Sequence, residues 1–168
     1  GNEMARLLSV RYLMGLFLVC SSVLFNVALA KEPVYTRFLS NVAVSGYDTV
    51  AYFTKNKAVK GNKKFMTEHL GAEWYFSSKE HMDMFVANPE KYMPQYGGYC
   101  AYALSDGRLV GVDEDAFTIL DGKLYLNYSK SVMKEWRTST ERFISEANAW
   151  YPQLVDLPAS NWSVIAHL

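Results

Sequence analysis

Apolar and polar positions along this chain fall into two periods, and the switches between them mark out its elements. Val42, Val44, Tyr47, Val50, Ala51, Tyr52 and Phe53 form a dense cluster broken at Ser45–Gly46. That pattern predicts a turn and then a short buried element over Asp48 to Phe53. Lys55, Lys57, Lys60, Lys63 and Lys64 follow and read as a solvated loop. Phe65 to Leu70 and Glu73 to Phe76, on either side of Gly71–Ala72, are rich in strand-forming residues and predict an antiparallel hairpin. Ser77-Ser78-Lys79-Glu80 fits a capping box, with Met82, Phe85 and Val86 at helical spacing behind it. A helix is expected there, stopped by Asn88–Pro89, with a second helical turn over Pro89 to Tyr92.

Pro94 then delivers the chain to Tyr96-Gly97-Gly98-Tyr99-Cys100-Ala101-Tyr102. The glycine pair supplies backbone freedom, and Tyr99 to Tyr102 predict the start of a strand. Ser105-Asp106-Gly107 is a turn, and Leu109, Val110 and Val112 predict another strand or extended segment. Asp113-Glu114-Asp115 is expected at a helix N-terminus, which favours acids, rather than at a cation site. Phe117–Leu120 and Lys123–Leu126 around Asp121–Gly122 give the clearest hairpin signal in the chain. From Ser129 to about Trp150 the spacing of Val132, Met133, Trp136, Phe143, Ile144 and Ala147 predicts one long helix, ended by Tyr151–Pro152. Trp162 and His167 fall in a tail without a period, and no internal repeat is visible. The fold class expected is α+β, a small antiparallel sheet with a short helix after the first hairpin and a longer C-terminal helix.

The N-terminus changes the picture from fold to location. Arg6 and Arg11 precede an uncharged run from Tyr12 to Ala30 that ends Ala28-Leu29-Ala30. A basic start, an apolar stretch and an A-x-A site describe a secretory signal, or else an uncleaved anchor of residues 12–30 that would touch the membrane. Either sends the domain to the periplasm or outside the cell. The organisation expected is residues 1–30 as signal or anchor, 31–40 as a lead-in, 41–154 as the domain and 155–168 as the tail. Lysine plus arginine balance aspartate plus glutamate at 17 each among 168 residues, which disfavours nucleic acid as a partner. Cleavage after Ala30 would also remove Cys20, leaving Cys100 as the single thiol with no internal disulfide available.

The order of residues resembles the YHS domain family. The resemblance lies in Val44-Ser45-Gly46-Tyr47-Asp48-Thr49-Val50-Ala51-Tyr52-Phe53, in Trp74-Tyr75-Phe76-Ser77-Ser78, and in Phe85 with Asn88-Pro89-Glu90-Lys91-Tyr92. Gln95 to Tyr102 and Asp121 to Ser129 further resemble an exported branch, so the likeness spans roughly residues 41 to 154. It implies a small metal-sensing or metal-carrying module associated with copper and other heavy metals. Metal-binding members carry a cysteine in the first motif and a cysteine pair after the tyrosine-phenylalanine strand. Here Ala51 stands near the first of these and Ser77 near the first of the pair.

What remains for chemistry is His81, near the family's histidine position, and Cys100. With His69 and one of Met82, Met84 or Met93 they would offer soft N and S ligands suited to copper before zinc. The function expected is a non-catalytic envelope protein binding such an ion. The alternative is a metal-free thiol-redox or protein-interaction module using Cys100, its thiol activated by His69, His81 or Arg108 and its partner another envelope protein. A Cys-His hydrolase is a third alternative, although no oxyanion-hole motif accompanies Cys100. No phosphate loop, dinucleotide fingerprint or serine nucleophile elbow appears, which leans the reading away from an enzyme.

Overall fold

A computed structural model describes residues 30–157; the expected signal or anchor up to residue 29, and residues 158–168 of the expected tail with Trp162 and His167, lie outside the described residues. Residues 31–157 belong to one compact unit. Its elements are α1 (Thr49–Lys55), β1 (Asn62–His69), β2 (Ala72–Phe76), α2 (Lys79–Ala87), α3 (Pro89–Tyr92), α4 (Ala101–Leu104), β3 (Asp113–Leu120), β4 (Lys123–Asn127), α5 (Lys130–Trp136) and α6 (Thr140–Leu154). The α+β class holds, with two separate two-stranded antiparallel sheets, β1-β2 and β3-β4, in place of one. No helix among the described residues is long and apolar enough to cross a membrane.

Both hairpins turn through left-handed pairs, Leu70–Gly71 at φ 49° and 75° and Asp121–Gly122 at φ 52° and 73°. Two residues with positive φ match the twist of the flanking strands, which is why such a turn closes a hairpin tightly. β2 buries Ala72, Trp74 and Phe76 on one face, and Phe85 of α2 packs against the last two rings at centroid distances of 5.1 and 5.0 Å. Ser78 starts α2 by accepting the His81 backbone N–H, while Asn88 both ends it and starts α3 by accepting from Lys91 N–H. These polar side chains satisfy backbone groups that a short helix leaves open.

Two cores result. The first gathers Val34, Val44, Val50, Tyr52, Trp74, Phe76, Phe85 and Tyr92; the second gathers Tyr96, Leu104, Tyr125, Trp136, Phe143 and Tyr151. β4 serves both, since Leu124 and Leu126 belong to the first core and Tyr125 to the second. Val34 is buried in the first core, Tyr35 N–H donates to Gly97 O, and Lys31 bridges Val155, so residues 31–36 lie along the fold.

Several expectations are corrected. Tyr99 to Tyr102 do not begin a strand: positive φ at Tyr96, Gly97 and Gly98 reverses the chain, and Cys100 becomes the residue before helix α4. The acidic triplet opens β3, not a helix, and Glu114 is buried there with Arg37 at 3.4 Å. The long C-terminal helix is two helices, α5 and α6. Thr138 and Ser139 interrupt it, Thr138 Oγ1 donating to Glu135 O in competition with the helical ladder. Nor does Pro152 end α6, which runs on to Leu154 because Tyr151 Oη donates to Pro33 O at 2.6 Å and Lys31 N–H to Leu154 O.

An internal repeat, invisible in residue identities, is plain in the backbone. β1, β2 and α2 recur as β3, β4 and α5 at a constant interval, Asn62 to Asp113, Ala72 to Lys123 and Lys79 to Lys130. Even the strand irregularity recurs, between Asn62 and Met66 and between Asp113 and Phe117.

Candidate metal-handling site

Asp48 organises the first half. It precedes α1, is fully buried, and its Oδ1 accepts the N–H groups of Val50 and Ala51 at 3.0 and 3.1 Å. Its Oδ2 accepts from Ser77 N–H at 2.9 Å and from the Ser77 hydroxyl, and lies 2.6 Å from His81 Nδ1. One side chain thereby ties the start of α1 to the end of β2 and the first turn of α2.

Every partner of Asp48 is a donor, as an ionised carboxylate requires, so His81 Nδ1 carries the proton. Nε2 faces the hydroxyl of Thr54 at 3.2 Å, a group that also donates to Val50 O at 3.3 Å. His81 is 8% exposed and Thr54 is exposed, so this nitrogen lies just beneath the surface. An imidazole held by a carboxylate through one nitrogen, with the other turned outward, is how proteins orient a metal-ligating histidine.

Cys100 sits elsewhere. Its side chain is fully buried in the second half, Sγ accepting Tyr128 N–H at 3.2 Å and lying 3.6 Å from Asn127 Oδ1. His69, half-buried at the end of β1, packs edge-on against Phe85, and burial lowers its pKa against the opposing pull of Glu90. Met82, Met84 and Met93 pack against the first core. Arg108 pairs with Asp106 at 3.2 Å. His81, Cys100 and His69 thus each have different neighbours, and the described residues hold no group of three His, Cys, Asp or Glu side chains able to bind a metal ion. Of the three expected ligands, His81 is the one held by a buried carboxylate.

Residues 50–96, which include α1, the first hairpin, α2 and His81, match the family model of the YHS domain. The chain carries a YHS domain. No curated protein and no solved structure matches it. Ala51 and Ser77, which stand where the resemblance would place cysteines, have other partners. Ala51 is buried in α1 with its N–H on Asp48, and Ser77 gives both its donors to the same carboxylate.

Asp48 and Thr54 are not among the site residues expected from the sequence, and Ser77 enters there only in a capping box and at a cysteine position. An aspartate directly before Thr49-Val50-Ala51 is a helix-start signal, so one half of Asp48's role was available. Its reach to Ser77 and His81 spans separations of 29 and 33 residues and exists only in the folded chain.

Proposed function

We propose that this chain is a non-catalytic YHS module of the cell envelope that handles a soft or borderline metal ion as cargo, copper before zinc, at His81. The observation that carries this reading is the 2.6 Å pairing of His81 Nδ1 with the buried Asp48, which leaves Nε2 directed outward at Thr54. An incoming ion would take the place of the Thr54 hydroxyl at Nε2. Because the described residues hold no group of three such ligands, further donors would come from the molecule that delivers or receives the ion, which suits transfer better than storage. Location in the envelope rests on the basic and apolar N-terminal segment.

Competition titrations with Cu(I) and Zn(II) on wild type, His81→Gln and Cys100→Ser test it. The expected result is measurable Cu(I) binding that falls about tenfold or more in His81→Gln, as for loss of a ligand or its orienting partner, and is unchanged in Cys100→Ser. Equal binding by wild type and His81→Gln would end this reading.

A further inference from the structure

Beside His81 lies a stretch of strongly one-sided charge. Residues 55–64 contain Lys55, Lys57, Lys60, Lys63 and Lys64 and no aspartate or glutamate. All five lysines are exposed, and none makes an ion pair among the described residues. Lys60 lies over the Tyr47 ring and Lys64 over that of Phe65. On α2 and α6, by contrast, exposed charges are matched, Lys79 with Asp83 at 2.6 Å and Arg142 with Glu146 at 3.4 Å. The equal count of acids and bases over the whole chain therefore conceals a local excess of positive charge.

The segment is fastened to the site at both ends. Lys55 directly follows Thr54, whose hydroxyl faces His81 Nε2. Val59 O accepts at 2.8 Å the N–H of Asp48, the residue that orients His81, and Lys60 bridges Tyr47. Between these points Ala58 packs against the first core, and just past them Gly61 N–H donates to Gly46 O at 2.8 Å. The backbone is thus fixed while Lys55, Lys57 and Lys60 stay exposed. Lys55 stands one Cα step, about 3.8 Å, from Thr54, well inside the screening length of about 8 Å at physiological salt. Against these charges, the acids nearest His81 along α2 are Glu80, which is exposed, and Asp83, which Lys79 pairs.

We infer that residues 55–60 are the docking face for an acidic protein partner, the one that delivers the ion to His81 or takes it away. The inference rests on metal handling at His81 and names the partner for it. Lysines beside a cation site repel the free ion, so they do not help to capture it from solution. They favour an ion that arrives masked in a carrier whose surface is negative, because complementary charge speeds encounter and fixes orientation. A protein fits better than an anionic bilayer, since an ion held at His81 needs further soft donors and lipid phosphates are hard oxygen ligands.

Two synthetic peptides serve as partners for the full chain. They share one Cu(I)-binding segment of methionines and a histidine, flanked by aspartates in one and by lysines in the other. Without metal, fluorescence anisotropy should show salt-sensitive binding of the aspartate-flanked peptide, about tenfold weaker when Lys55→Glu, Lys57→Glu and Lys60→Glu are combined. Reversing Lys130 and Lys134 in the same way should leave binding as in wild type, and so should His81→Gln. Loaded with Cu(I), the aspartate-flanked peptide should pass its ion to wild type about tenfold faster than the lysine-flanked one, and the triple reversal should remove the difference. Docking is read without metal, so it can fail while Cu(I) binding at His81 stands, and hold while that binding fails. Equal binding of the two peptides, or an equal loss on reversal at Lys130 and Lys134, overturns the inference. So does binding to phosphatidylglycerol vesicles that the triple reversal abolishes while the aspartate-flanked peptide goes unbound, which would make a bilayer the partner.

Discussion

The Asp48 carboxylate and the His81 imidazole are held 2.6 Å apart, with Asp48 wholly out of contact with solvent. The pairing makes Asp48 a fastener for three elements at once, since the same carboxylate accepts four further donor bonds from Val50, Ala51 and Ser77. Replacing it by alanine leaves those donors buried and unmet. Asp48→Ala should lose about 3–5 kcal/mol of stability, the range for breaking a buried charged pair, and urea unfolding would check it. A loss below 1 kcal/mol would mean that water replaces the carboxylate at little cost.

Gly97 and Gly71 both have positive φ, yet their surroundings differ. A Cβ on Gly97 would collide with the Pro33 carbonyl oxygen, whereas one on Gly71 meets nothing within 4 Å. Gly71→Ala should therefore cost only the backbone penalty of about 1–2 kcal/mol. Gly97→Ala should cost clearly more, because residues 33 and 34 must be pushed off the fold. Paired thermal melts give the comparison, and equal costs would contradict the close approach of these segments.

Buried tyrosines predict alkaline lability. Burial, assisted by Asp121, pushes Tyr125 up to about 12 from an ordinary 10.0, and burial likewise raises Tyr52, Tyr96 and Tyr151. Above the unfolded value the unfolded chain releases these protons while the folded chain retains them. Stability is thus fully present below about pH 10 and falls as pH rises towards the folded values. Denaturant midpoints measured across that window should decline, and phenolate absorbance should appear together with unfolding. Full ionisation of all twelve tyrosines in a still folded chain would refute the burial.

A bulky maleimide should find Cys100 unreactive in the native state and rapidly reactive in denaturant, since the side chain is wholly buried. Prompt maleimide labelling under native conditions would place Cys100 at the surface instead.

Local signals carried much of the fold into the sequence. Asp121–Gly122, the Ser78 start and the Asn88 stop each fix backbone through their own side chain or φ, so neighbours in sequence suffice to find them. The α4 turn was hidden because four residues show no period and because a tyrosine, Tyr96, adopts the left-handed conformation that glycine usually signals. The break between α5 and α6 was hidden for a related reason: Trp136 and Phe143 keep helical spacing across it, while the backbone leaves helical angles at Ser139. At the site, His81 was legible by its place in the motif, but its partner Asp48 was not. The repeat was hidden most fully, because Asp48 and Cys100, or Phe85 and Trp136, keep a position while changing their chemistry.

Leu124 and Leu126, on the strand whose middle residue Tyr125 belongs to the other core, fill the interior of the half that contains the YHS match. The matched segment is consequently no autonomous folding unit. Expressed alone, residues 50–96 would lack both the plug supplied by β4 and the Asp48 fastener, and would present the rings of Trp74, Phe76 and Phe85 to water. In this protein the boundary of the recognisable sequence motif and the boundary of cooperative folding do not coincide.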